Sequence, residues 1–411
     1  MEAKQAVVVA ATKSFYILVC IFLAPVFGVA QNELPPKEKR TTAIEILYDY
    51  YQQTGNHSAV TGGIGTEELK YNAPVVVIYV PTDSLGQITV KAGVDAYSSA
   101  SQDNIDFNIS SASAKDARTH VAVAYSREKP KKQQSWGANT SGSVESDYLS
   151  FGLGGFYSKG WHNYNTVLST SAQVFFDDTR WGWLSSDPDR QLQLIFPEEL
   201  RGTDWFDHYK RYTTTLSIGL TQLLTPRLNI GFFVDGVWQN GLLSTTFHRV
   251  YLQGQTTAVV ENLPKNRYKL PLAMRLNWFA TRHFLLRSYY RFYTDNWGIQ
   301  GHTIEVESSF KLSPFFSIIP FYRLHWQDGS TWFNAFGQAS ANAEFFTSDF
   351  DLSRFTAHKF GIGINYAPLR GMWRFNAKGY GWQGVQLRIG SYLRSDGLEA
   401  FYLSSIFYVG K

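Results

Sequence analysis

The chain has 411 residues, of which 44% are hydrophobic, 16% aromatic and only 18% charged. A mean hydropathy of −0.22 is too polar for a bundle of membrane helices, and soluble domains carry more charge, roughly 25%. A net charge of +4 gives a nucleic-acid role no electrostatic support. Aromatic-rich, charge-poor and without long apolar runs, the composition suits an all-β protein that meets lipid through alternate residues.

In chain order, the first thirty residues read as an address. Lys4 and Lys13 precede an apolar stretch from Phe15 to Val29, and Gly28-Val29-Ala30 offers a small-x-small cleavage site. This predicts a secretory signal peptide over 1–30, cut after Ala30; a membrane anchor would need about 20 apolar residues. Cys20, the one cysteine, lies inside it, so the mature chain has no thiol for a disulfide, a metal site or nucleophilic catalysis. A polar linker over 31–40, with Pro35-Pro36, follows.

From there the chain alternates apolar and polar residues in long segments. Tyr268, Leu270, Leu272, Met274, Leu276 and Trp278 share one face, opposite Arg267, Lys269, Ala273, Arg275 and Asn277. Phe284, Leu286, Tyr290 and Phe292 likewise oppose His283, Arg287, Tyr289 and Arg291. Residues i and i+2 lie on one face of a strand, so each segment has an apolar and a polar side. A soluble sandwich also alternates, but these segments match the roughly 9–11 residues that cross a bilayer at a tilt. The apolar faces end in Trp238, Trp278 and Trp326, as aromatic girdles do. Tight joins at Thr225-Pro226, Ala280-Thr281 and Ser313-Pro314 alternate with long loops at 239–266 and 327–355. An open sheet edge is not tolerated in hydrocarbon, so the sheet must close.

The predicted fold is therefore a transmembrane antiparallel up-and-down β-barrel of about fourteen strands, within a range of about 12–16, occupying 74–411. The weak points of that count are 138–157, which could be two strands, and 367–383, which could hide another. Fourteen strands give a diameter of roughly 28 Å, too wide for wall side chains alone to fill. Segment 41–73 is expected to enter the lumen from the periplasmic side as a plug, through Gly62, Gly63 and Gly65, with Glu67 or Glu68 meeting a luminal arginine; the alternative is a tether dangling in the periplasm. The run Gly62-Gly63-Ile64-Gly65 is not a phosphate-binding fingerprint.

Local words resemble a known family. Tyr50-Tyr51-Gln52-Gln53-Thr54-Gly55-Asn56-His57, Gln239-Asn240-Gly241-Leu242-Leu243-Ser244, Glu261-Asn262-Leu263-Pro264, Thr347-Ser348-Asp349-Phe350-Asp351-Leu352-Ser353 and Arg394-Ser395-Asp396-Gly397-Leu398 are similar to bacterial outer-membrane barrels catalogued as domain of unknown function 3570. The resemblance spans about 41–411 and implies a fold and a location, not an activity.

Lumen-lining candidates are Arg275, Arg287, Arg291, Glu305, Glu307, Arg323, His325, Arg388 and Arg394. Arg287 or Arg291 could meet Glu305 or Glu307 across the short join at 294–297, and such cross-strand pairs contribute roughly 0.2–1 kcal/mol each. Mixed signs favour a structural polar network over a lumen that selects solutes by charge. Asn104, Asp106 and Asn108, in the polar segment 98–117, and Asp349, Asp351 and Ser353 start like calcium loops. Both lack the glycine and glutamate that complete one, so turn caps explain them better; calcium at Asp349 and Asp351 stays a weak expectation, and no other cofactor is expected. Ser244, His248 and Glu261 share a loop but come with no nucleophile elbow, so catalysis is not expected. By the strand count 98–117 falls on the periplasmic side.

The sequence thus predicts a porin-like outer-membrane protein passing or binding a small solute, with membrane lipid as its surroundings. The rival is a non-conducting scaffold that holds periplasmic or surface protein partners through 98–117, 239–266 and 327–355.

Overall fold

The computed structural model describes residues 41–99, 115–145, 148–179, 209–369, 371–375 and 380–410. The expected signal peptide, the linker 31–40 and the Asn104–Asp106–Asn108 spacing lie outside the described residues.

Among the described residues, nineteen strands follow in chain order: β1 (Ala43–Thr54), β2 (Leu69–Pro81), β3 (Gly86–Ser99), β4 (Lys115–Lys129), β5 (Gln134–Val144), β6 (Leu149–Trp161), β7 (Thr166–Asp178), β8 (Lys210–Thr225), β9 (Leu228–Gly241), β10 (Arg249–Tyr251), β11 (Ala258–Val260), β12 (Asn266–Trp278), β13 (Phe284–Asp295), β14 (Gln300–Lys311), β15 (Phe316–Gln327), β16 (Phe355–Tyr366), β17 (Trp373–Arg374), β18 (Gly381–Arg394) and β19 (Glu399–Gly410). Sixteen of them form one closed antiparallel ring. The ring is sealed where β1 pairs with β19, from Ile44↔Val409 to Thr54↔Glu399, while its other edge pairs with β2. β10 and β11 make a separate hairpin inside the loop after β9, and β17 is a short addition beside β18. At about 4.8 Å between strands and a tilt near 40°, sixteen strands enclose a ring roughly 32 Å across.

The alternation decides the faces. Tyr268, Leu270, Leu272 and Met274 of β12, Ile304 and Val306 of β14, and Leu216, Ile218 and Leu220 of β8 are all solvent-exposed large apolar side chains. A soluble protein does not leave so broad an apolar belt to water; on a closed barrel it is the surface that faces lipid. Near one rim of the belt Trp238 stacks on Tyr268, with ring centroids 6.3 Å apart, and Trp326 stacks on His302 at 4.9 Å. Trp161 and Trp278 mark the opposite rim.

Two further strands raise the count from about fourteen to sixteen. Segment 138–157 is two strands, β5 and β6, and the supposed plug contributes β1 to the wall. Ile44, Ile46, Tyr48 and Tyr50 of β1 face outward, while Glu45, Asp49, Tyr51 and Gln53 face in; satisfying the edges of β2 and β19 outweighs any gain from filling the lumen. The barrel therefore begins at Ala43, not at residue 74, and 41–73 is not a periplasmic plug. The extra first strand also reverses the sides of the early connections. Ser99 and Lys115 end their strands at the long-loop rim, not at the short-turn rim that the expected strand count implies for 98–117. The split of 138–157 restores the parity, which leaves 239–266 and 327–355 at that same rim, as expected.

Candidate functional site

The site is the lumen and the loops over its mouth. Strands β12–β18 bring most of the expected luminal charges together. Arg287 Nη1 donates to Glu307 Oε1 at 2.7 Å, the pair expected across the β13–β14 join. Glu305 is taken instead by Arg323 of β15, directly opposite it in register. Arg291 faces Thr303, not a glutamate. Arg388 of β18 also reaches Glu307, although β15 and β16 lie between their strands; both side chains must project inward for this to happen. Its guanidinium lies 5.0 Å from the centroid of the Phe321 ring. Arg275 sits over Phe233 at 5.3 Å, and His325 Nδ1 lies 2.9 Å from the Thr303 hydroxyl.

Lys359 of β16 was not among the expected residues. It faces in beside Arg323 and lies 4.0 Å from the Tyr402 ring centroid. Its signal was present: Ala357, Lys359, Gly361 and Gly363 alternate with His358, Phe360 and Ile362. Nearer the long-loop rim, Asp295 accepts from Arg267 at 2.6 Å and Asp177 from Arg211 at 3.1 Å; Arg118 pairs with Asp95. The inward faces of β5–β8 differ in kind. Asn139, Ser141, Gly154, Ser171, Thr215 and Ser217 are small and uncharged there, and the inward Phe156 and Phe175 rings lie against Gly137 and Gly152.

Arg394 does not line an open bore. Its side chain is 4% exposed and holds Asp351, Asp396 and the Phe350 carbonyl, the last at 2.9 Å, with the Phe355 ring beneath it at 4.0 Å. It clamps the short 3-10 turn Phe350–Leu352 of the loop after β15 onto the β18–β19 turn. Asp349 caps that turn by accepting from the Asp351 N–H at 2.9 Å. The carboxylates of the weak calcium expectation thus have protein partners, and among the described residues no group of three His, Cys, Asp or Glu is placed to hold a metal.

The glycine run belongs to the first long-rim loop, between β1 and β2. His57 stacks on Phe350 at 3.8 Å, and Gly62 (φ +84) has the Tyr251 ring where a Cβ would stand, 2.6 Å away. Gly63 abuts Phe350 and Ser348. Glu67 is buried and accepts from Gln53 Nε2 at 3.2 Å. Tyr251 in turn packs on Phe336 at 4.5 Å, and Asn262 and Phe346 exchange backbone hydrogen bonds at 3.2 and 2.8 Å. The loop after β1 and the loop after β9 leave the ring eight strands apart, on opposite sides of a sixteen-strand circle. Their meeting at Gly62 and Tyr251 requires a cover across the mouth. Three loops, 55–68, 242–265 and 328–354, build this lid.

Inside the lid His248, 1% exposed at its side chain, has Nδ1 3.1 Å from Glu261 Oε1. Glu261 also accepts from the Thr245 N–H at 2.6 Å and from the Thr347 hydroxyl. Ser244 Oγ accepts from the Leu263 N–H at 2.8 Å. These residues tie two loops together through hydrogen bonds that a buried carboxylate requires.

A closed, lipid-facing ring with a polar lumen and a loop lid defines a transmembrane β-barrel. Its sequence matches the family described as "Protein of unknown function (DUF3570)" over residues 31–381, and the chain belongs to that family. No curated protein matches it. Among solved structures it is similar to a bacterial polysaccharide outer membrane secretin (7% identity, covering 90% of this chain and 99% of that one, TM-score 0.47). It is also similar to OpdQ of Pseudomonas aeruginosa (8%, 90% and 96%, 0.42). With the siderophore receptor PirA of the same organism the identity is 12% and the TM-score 0.38, over 86% of this chain but 57% of the receptor.

Proposed function

We propose that the protein resides in the bacterial outer membrane, delivered by a signal peptide cut after Ala30, and that its lumen passes or binds a small solute. The observation that carries this reading is the lining of β5–β8. Small side chains such as Ser141, Gly154 and Ser171 leave space inside a ring about 32 Å across. The belt of exposed Leu, Ile and Val, rimmed by Trp and Tyr, supports the membrane assignment. Catalysis forms no part of the reading, because Glu261 and His248 are engaged in holding the lid together.

The packed lid favours a second reading, a non-conducting scaffold that presents loops 242–265 and 328–354 to a protein partner. Single-channel recording in planar bilayers separates the two. The passage reading expects discrete conductance steps, larger or more frequent in Gly62→Ala, whose lid docks poorly. Silence in both proteins would overturn it in favour of the scaffold.

A further inference from the structure

We propose that the inward face of β12–β18 is an anion site, selecting small solutes that carry a carboxylate or phosphoryl group. The proposal rests on the solute reading above and names the solute's chemistry. Between the rims this wall carries six cations, Arg275, Arg287, Arg291, Arg323, Lys359 and Arg388, against two carboxylates, Glu305 and Glu307. The pairing sharpens the imbalance. Glu305 answers Arg323, while Glu307 is divided between Arg287 and Arg388 and can neutralise only one of them.

Arg291 is the clearest case. Among the described residues it forms no ion pair, and its guanidinium lies 5.5 Å from the Tyr293 ring centroid. An aromatic face attracts a cation without cancelling its charge or occupying its hydrogen-bond donors. Among the described residues, Asp235 of β9, which hydrogen-bonds Ser217, lies within electrostatic reach of Arg291. Across the lumen from Arg291, eight strands round the ring, β3 presents Lys91 and an Asp95 held by Arg118. The wall β5–β8 offers hydroxyls and amides between its rims, and Asp49 of β1 lies within electrostatic reach of Lys359. Arginine presents a planar fork of donors that matches carboxylate and phosphate oxygens, and a low-dielectric barrel wall concentrates that field in the lumen.

The test uses the full mature chain in planar bilayers under a potassium chloride gradient. The reversal potential should lie toward the chloride equilibrium value. Arg291→Gln should bring it closer to zero, and Arg291→Glu should move it across. Millimolar citrate should shorten the open periods, and spermidine should not. Discrete conductance with cation preference, or with a reversal potential indifferent to Arg291→Glu, overturns the anion site and leaves solute passage standing. Should the protein not conduct, passage fails, and the anion site is decided in detergent. Citrate should then raise Tm above an ionic-strength-matched chloride control in the wild type and not in Arg291→Glu; no difference overturns it. A heat-modifiable folded band on cold gels confirms that each variant forms the barrel, and Arg291→Gln stands in if the reversed charge does not fold.

Discussion

Glu307 and Arg388 meet in the lumen although two strands of the wall separate them. The contact is a chord across the curved interior, and it exists because Glu307 is 8% exposed at its side chain and already held by Arg287. One carboxylate thus joins three strands.

Glu307→Gln should therefore cost more than an ordinary surface pair. It leaves two guanidiniums facing a neutral amide, a loss of about 1–3 kcal/mol. Because Arg287 is half exposed, water screens its share. A double-mutant cycle with Arg388→Gln, read by urea unfolding from detergent or lipid, should give a coupling of about 0.5 kcal/mol or more. Strict additivity would contradict the shared contact.

The lid should depend on Gly62 in a way that an open glycine does not. At Gly62 a Cβ meets the Tyr251 ring and the backbone φ is +84; at Gly254 the φ is +76 but nothing stands within 4 Å. Gly254→Ala should cost about 1 kcal/mol of backbone strain alone. Gly62→Ala adds the clash and should cost about 1–3 kcal/mol. Limited proteolysis should cut loop 242–265 faster in Gly62→Ala than in Gly254→Ala, with the barrel core surviving in both.

The wall was legible in the sequence wherever one face is wholly apolar. β12 to β15 alternate cleanly because Leu270, Leu272 and Ile304 meet lipid while Arg275, Arg287 and Glu305 meet the lumen. β1 escaped because its inward face mixes Leu47 and Tyr51 with Glu45 and Asp49, so its period is blurred. β5 and β6 merged because Ser, Gly, Asn and Thr carry little contrast, and the intervening Glu145-Ser146-Asp147-Tyr148 has neither glycine nor proline to announce a turn. Arg287 with Glu307 could be foreseen from adjacent strands. Arg388 with Glu307, 81 residues apart, could not, and neither could the lid, whose loops meet only because the ring closes. No local pattern encodes that closure.

Acid should tighten the lid. Burial, followed by the neighbouring Asp351 charge, raises the Asp349 carboxyl from 3.8 to about 7; Glu261 acts in the same direction, and His248 and the Asp351 N–H oppose it. Arg394 reaches the same turn through Asp351. A carboxyl with a higher pKa in the folded loop contributes stability that is full below the unfolded value and lost as the pH rises through the folded one. Hydrogen exchange at the amides of 349–353 should accordingly be slower, relative to its intrinsic rate, at pH 5 than at pH 8. Asp349→Asn keeps an oxygen to cap the turn but cannot ionise, so it should protect those amides at pH 8 and flatten the dependence. Protection that falls on acidification would reverse the assigned direction.

The broadest prediction concerns the belt itself. Leu272 and Thr303 both lie on membrane-spanning strands, but Leu272 faces outward beside Met274 while Thr303 faces the lumen opposite His325. An arginine introduced at mid-depth on the lipid side costs about 2–4 kcal/mol, because the charge must leave water or deform the bilayer to keep it. On the luminal side the same side chain stays among polar groups. Leu272→Arg should thus lower the folded fraction on refolding into lipid vesicles, and Thr303→Arg should leave it close to wild type. Equal losses at the two positions would mean that the two faces see the same solvent, and a membrane barrel with this orientation would then be ruled out.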